Sequence, residues 1–494
     1  MQRFYAARAE GYPLVKINTH RFKEIAKEEL KNTYSRGFLD IFSQFFPILR
    51  KNAMESFSDP QEALEKSAAI RRDVVARLPQ LLDAFENNAA NNGAKVIRVK
   101  DGREANTVIV NLAKKRGIQY VTKGKSMVTE EIGLNQALQA NGIDAFESDL
   151  GEFITQLLDR PPFHIVGPAM NVPVEEISDI FIQRAEMKTP TLDPVELGHA
   201  ARVYLRNKFH HAGMGITGVN MAVADTGTII NVENEGNIRM SKSSPKTQVS
   251  VMTLEKVVPD MQDALHLLRV LCRSCTGQKL AAYVSMDSGP KKTNEIDGPE
   301  ELFIIIVDNG RSELYKDIQS RQALQCIRCG ACLNTCPVYT KIGGYPYGWA
   351  YSGPMGQVLT PLLLGLETTE DLFRACTRCG ACREVCPAGI DHPKMFQAFE
   401  TRRQERKKIP GLNREEMIIE MGFVIWGWLV TRPRLWELTA RLTRKALSLP
   451  ALSEPLKRID GPVKHWTHSR TLPHPASQTF REHWKALKKA EYDR

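Results

Sequence analysis

The chain has 494 residues, 42% of them hydrophobic, a mean hydropathy of -0.31 and a formal net charge of +10. That length suits two to four domains, and that composition an ordinary globular chain with a sizeable core. A membrane span is excluded, since the longest apolar run, MGFVIWGWLV at 421–430, falls well short of the roughly 18 to 20 residues that cross a bilayer.

The first residues, MQRFYAARAEGYPLVK, are charged by the third position and lack the apolar core of a signal peptide. The expected setting is therefore cytoplasmic and reducing, where clustered cysteines point to metal or redox chemistry before disulfides. Residues 15–92 read as mostly helical, with one long helix over 59–92 stopped at Gly93. A βαβ rhythm follows, which predicts a parallel sheet covered by helices. Its expected strands are AKVIRV (94–99), IQYVTK (118–123), IDAFES (143–148) and FHIVG (163–167), separated by helical stretches. VNMAVADTGTIINVENEG (219–236) reads as two strands around an Asp-Thr-Gly turn, and ELFIIIVDNG (301–310) as a buried strand. Residues 401–494 hold a surplus of ten basic side chains, which is the whole net charge, and five of the six tryptophans: Trp426, Trp428, Trp436, Trp466 and Trp484. Such a segment suits an anionic surface, either a membrane contacted peripherally from its inner face or a partner protein. Beyond charge, nothing in the chain points to nucleic acid.

The strongest pattern is a repeated unit, CIRCGACLNTCP at 326–337 and CTRCGACREVCP at 376–387. Paired cysteines at C-x2-C can bind zinc, but zinc has no use for three cysteines at two-residue gaps twice over. The spacing C-x2-C-x2-C-x3-C-P instead suits two [4Fe–4S] clusters, in which the cysteine before proline ligates the other cluster. The expected partition is Cys326, Cys329, Cys332 and Cys386 on cluster 1, and Cys376, Cys379, Cys382 and Cys336 on cluster 2. With every iron ligated, such clusters carry electrons rather than bind substrate.

Other motifs are weaker. Cys272 and Cys275 form a lone C-x2-C, read as buried thiols rather than a redox pair. GMGITG (213–218) matches a dinucleotide fingerprint literally, but it precedes a strand rather than a helix, so a glycine-rich turn is expected. Asp225-Thr226-Gly227 reads as a hairpin turn. Lys123, Lys125, Ser126, Glu130 and Glu131, with Glu233, Glu235 and Arg239, suggest either an anion or carboxylate pocket at a sheet edge or a capped helix with solvated charges. His164, His210 and His211 have no metal spacing. No catalytic residue is assigned.

KSMVTEEIGLN, ESDLGEFI, GVNMAVADTGTIINVENEGNIR and YGWAYSGPMGQVLTPLL, joined to the two cysteine units, resemble the LutB/YkgF-type iron–sulfur subunits of bacterial lactate utilisation. The resemblance implies an α/β LUD domain, related in fold to the NagB/ribose-phosphate-isomerase/CoA-transferase group. A mainly helical two-cluster ferredoxin domain and a basic helical extension would follow it. The expected boundaries are 1–74 for an N-terminal helical segment, 75–310 for the LUD domain, 311–400 for the cluster domain and 401–494 for the extension. The resemblance further implies two [4Fe–4S] clusters and an electron-transfer role in oxidising L-lactate to pyruvate. Its implied partners are a cysteine-rich subunit, a second LUD protein and an electron acceptor. The rival reading is that the LUD domain itself binds or transforms a small carboxylate or CoA-like ligand while the clusters serve another oxidoreductase.

Overall fold

The computed structural model describes residues 17–407, 414–447, 476 and 478–492. The expectations for the first sixteen residues and for Trp466 lie outside them. The chain packs as two compact units that meet in sequence between Arg403 and Gln404.

The first unit opens with helices Phe22–Glu29, Thr33–Met54, Pro60–Ala76 and Leu78–Asn91. The Asp59 carboxylate accepts the N–H groups of Gln61 and Glu62, and Pro60 stands at the first helical position, which fixes where the third helix starts. The single helix expected over 59–92 is two. The chain turns at Arg77, and Pro79, with no N–H to give, sits in the first turn of the next helix.

A six-stranded parallel sheet follows, ordered β1-β10-β7-β4-β2-β3. Its strands are β1 Lys95–Val99, β2 Tyr120–Lys123, β3 Asp144–Glu147, β4 Met214–Gly218, β7 Thr247–Thr253 and β10 Glu301–Val307. Strand β10 shows the two-residue period of a sheet buried on both faces. Leu302, Ile304 and Ile306 enter one core, and Phe303, Ile305 and Val307 enter the other. A smaller sheet is ordered β8-β5-β6-β9, with β5 Met221–Val223, β6 Thr228–Glu233, β8 Val257–Val258 and β9 Tyr283–Asp287. The hairpin joining β5 to β6 turns at Asp225–Gly227, where Gly227 has φ +68° and presses on the backbone of Asn88 and Ala89.

Two expectations fail here. FHIVG (163–167) is not a strand. The Phe163 amide bonds Pro168 O, its carbonyl accepts the Tyr339 hydroxyl, and His164 Nδ1 accepts the Val166 N–H, so these groups are lost to any ladder. Its place beside β2 goes to β4, within the glycine-rich GMGITG expected to be a turn. Those glycines make room. A Cβ on Gly215 would lie 1.6 Å from Ser241 O, in the helix Asn237–Ser243 that lies across the strand.

The cysteine module continues the first core. Leu359, Leu363, Met395, Phe396 and Phe399 join Val258, Leu267, Ile304 and Ile306 in one apolar cluster. The second unit contains helices Arg414–Val430, Pro433–Leu447 and Phe480–Tyr492. Glu482 takes the Thr479 N–H and pairs with Arg444 at 3.2 Å. Trp426 and Trp428 are about half exposed. Among the described residues no helix is long and apolar enough to cross a membrane.

Candidate metal centre

Both cysteine units fold alike. Arg328 and Arg378, between the first two cysteines of each unit, have φ of +61° and +56°, and Gly330 and Gly380 follow at +84° and +86°. A left-handed arginine is unusual, and its consequence is the same in each loop. The Arg328 N–H points back at Cys326 Sγ at 3.4 Å, and the Arg378 N–H at Cys376 Sγ at 3.2 Å. Short helices, Ala331–Asn334 and Ala381–Glu384, then carry the third cysteine of each unit.

Cys326, Cys329, Cys332 and Cys386 line one cavity, walled by Ile165, Leu333, Met355 and Ile390. Cys386 thus joins three cysteines of the other unit. Cys336 lies near enough to Cys376 and Cys379 that their charge, after burial, helps to push its thiol up to about 11. Burial first, and then Cys376, Cys336 and Cys379, push the Cys382 thiol up to about 12. Burial drives Cys386 up to about 11, with Cys326 adding to it. Thiols crowded in apolar surroundings resist ionisation unless a metal ion shares their charge. Four soft sulfur donors per site, with backbone N–H groups aimed at sulfur, are a donor set suited to an iron–sulfur cluster. All ten cysteines are free.

The two sites differ in their surroundings. Cys379 is exposed, whereas Cys329 is only partly so. Around the first site runs a buried ionic network. Arg311, with no exposure, pairs with Glu131 at 2.6 Å and with Glu255 at 3.1 Å. Arg328 pairs with Glu255 at 2.9 Å, and its guanidinium lies over the Tyr351 ring at 5.0 Å. Burial alone would raise the Glu255 carboxyl, but Arg311 and Arg328 overcome it and hold it down to about 2. Burial, and then Arg328, lower Lys256 to about 8. Arg71 donates to the carbonyls of Leu324 at 2.8 Å and Gln325 at 2.9 Å, which fixes the approach to Cys326.

A second cavity, of about 320 Å³, lies on the other side of this loop, at the C-terminal ends of β2, β4 and β7. The residues suspected from 122–135 and 233–239 divide here. Lys125, Ser126, Glu233 and Glu235 line the cavity. Lys123 does not, since its ammonium is fully buried between Glu147 at 2.8 Å and Glu130 at 3.0 Å. Glu130, Glu147 and Glu152 lie close enough to hold a metal ion, but Lys123 already supplies the cation there. Glu131 belongs to the Arg311 network, and Arg239 stacks on Tyr283 at 3.9 Å. Cys272 and Cys275 are buried and line the same cavity. His164 is buried and held neutral, its pKa lowered to about 3 by burial and then by Lys125, while His210 and His211 are exposed. Sequence reasoning missed Lys256, Glu255, Arg311 and Tyr351, since an ion pair between distant residues leaves no local pattern. The repeated Arg in C-x-R-C was the one available signal for Arg328.

Three families match along the chain: LUD domain over residues 82–307, 4Fe-4S dicluster domain over 322–390, and lactate utilisation protein B, C-terminal, over 398–489. Over nearly its whole length the chain is similar to proteins named lactate utilization protein B. It is 36% identical to that of Bacillus velezensis, over 96% of this chain and 98% of that one. For Bacillus licheniformis the identity is 37%, over 96% and 98%. For Bacillus subtilis it is 37%, over 95% and 96%.

Proposed function

We propose, from the premise that the chain belongs to the lactate utilisation protein B family, that it is the iron–sulfur electron-transfer subunit of a system oxidising L-lactate to pyruvate. What supports the reading is the cavity that Cys386 lines together with Cys326, Cys329 and Cys332, a crossing that Cys336 would complete by joining Cys376, Cys379 and Cys382. A [4Fe–4S] cluster, when bound, takes up and releases one electron, so two of them match the two electrons that leave a 2-hydroxy acid. The chain's own part is to hold both sets of thiolates near each other, one under a buried cationic network and one close to the surface. Exposed Cys379 is the side from which a redox partner would be met.

In this reading the chain works in the cytoplasm with a cysteine-rich protein and a second LUD protein, and passes electrons to an acceptor. The basic tail, with Trp426 and Trp428 exposed, supports a peripheral contact with an anionic membrane.

The test is iron and sulfide analysis of the anaerobically purified chain, with reduced EPR spectra. Roughly eight irons and two interacting signals are expected. Cys329→Ser and Cys379→Ser should each lose iron and stop lactate-dependent electron transfer in the assembled complex. Zinc without labile sulfide, or full transfer by both variants, would overturn the reading.

A further inference from the structure

The second cavity is a built site rather than a gap between modules. Loops after β2 and β4 meet there so closely that a Cβ on Gly218 would lie 2.7 Å from Ser126 Oγ. Adjacent parallel strands that lead away in opposite directions open such a crevice at their C-terminal ends, and ligands of α/β sheets bind there. Its volume, about 320 Å³, falls in the range of small-molecule sites.

Its chemistry is uneven. Lys125, Lys256 and Arg328 all line it. Arg328 is only 9% exposed, and its Nη1 has no hydrogen-bond acceptor among the described residues. Lys125 Nζ is buried and also lacks one. Glu255 already pairs with the other end of the Arg328 guanidinium at 2.9 Å, but leaving a buried N–H donor without an acceptor is costly, so an incoming acceptor gains what the protein itself does not supply. The three acids in the lining are already committed. Glu233 accepts the N–H groups of Ile238 and Arg239, at 2.7 and 3.1 Å, Glu235 accepts that of Leu150 at 3.0 Å, and Asp149 accepts that of Glu152 at 3.1 Å. Their charge is directed at backbone, which leaves the cationic end open to an oxyanion. Cys329 lines this cavity as well as the first, so one loop of chain divides them.

We propose that this cavity binds a small organic oxyanion, its carboxylate or phosphate held by Lys125, Lys256 and Arg328, against the loop that carries Cys326 and Cys329. A ligand so placed lies next to the first thiolate set and affects it directly. The inference rests on the electron-transfer reading for the identity of what those thiolates hold, and on the cavity alone for the binding.

The experiment titrates the iron-loaded full chain with L-lactate, pyruvate and inorganic phosphate by calorimetry, and records the reduced EPR spectrum with and without each. Lys125→Ala and Lys256→Met are compared, with iron content verifying that each variant is loaded. Saturable binding of at least one probe is expected, weakened tenfold or more by either substitution, with a changed line shape in one of the two signals. Binding by the two organic acids alone assigns the site to carboxylates, and binding by phosphate alone to phosphate-bearing ligands. Absence of saturable binding by all three probes would overturn the proposal, as would binding that both loaded variants retain in full. A chain that transfers electrons in the complex yet binds no probe sinks this inference alone. A chain that binds but holds no iron sinks the relay.

Discussion

Arg328 and Arg378 occupy the same place in the two cysteine units and share a left-handed backbone, yet their side chains meet opposite surroundings. Arg328 is buried against Glu255, while Arg378 is exposed. The motif could announce both arginines but not this difference, because Glu255 reaches Arg328 across 73 positions of chain. His164 makes a similar point. As a lone histidine it has nothing to mark it, and in the fold it is enclosed by Phe42 and Tyr339. Its pKa falls from 6.5 to about 3 on folding, so the unfolded chain takes up a proton in that window and the folded chain does not. Its stabilising contribution is complete above the unfolded value and shrinks as pH falls below it. Between pH 7 and pH 5 the loss is about 2 kcal/mol. Urea unfolding at the two values should show a fall of that size, and His164→Gln should remove most of it. An unchanged slope in the variant would mean that other groups dominate acid lability.

Among the elements, β4 shows how small side chains can mislead. Gly213, Gly215 and Gly218 read as a turn because glycine is depleted from strands. Gly215 and Gly218 are accommodated in the strand because the helix Asn237–Ser243 and Ser126 come so close to them, while Gly213, just before it, lies against Ile118. Gly215→Ala would force a methyl into the Ser241 carbonyl, and a loss of roughly 3 kcal/mol or more is expected in chemical unfolding. Gly198→Ala, within helix Pro194–His211 and with open space around it, should instead stabilise by about 0.5 to 1 kcal/mol. Equal effects at the two positions would contradict this account of β4. Strands β1, β2, β3 and β10 were legible because their apolar runs are bounded by helix-forming segments. FHIVG was not a strand because its backbone groups are taken by side chains and turns that no local pattern reveals. At the candidate site the fixed spacing singled out the eight cysteines as candidate ligands, and the fold brings four of them, Cys326, Cys329, Cys332 and Cys386, to one cavity. The cations around them were not, since burial, not spacing, makes those matter.

For the molecule as a whole, the shared core has the largest effect. Val258, Leu267 and Ile304 from the α/β part pack with Leu359, Leu363 and Phe396 from the cysteine module. Arg71 ties the N-terminal helices to the loop before Cys326. A chain ended at residue 310 would expose one whole face of this core to water, at a cost that scales with the apolar area uncovered. It should be insoluble or lack a cooperative thermal transition, whereas a chain ended after Arg403 should unfold cooperatively and retain its iron. A well-folded 1–310 fragment would show that the two parts are separable after all.

The exposure of Cys379 also matters at the bench. Of ten thiols it alone stands in the open, while Cys272, Cys275, Cys336 and Cys382 are buried. Once metal is stripped from the chain, a brief pulse of iodoacetamide should mark this one sulfur first, well ahead of Cys272 and Cys275, as peptide mass spectrometry would reveal. Bound iron would shield that sulfur, so its alkylation rate would report how much of the second site is filled.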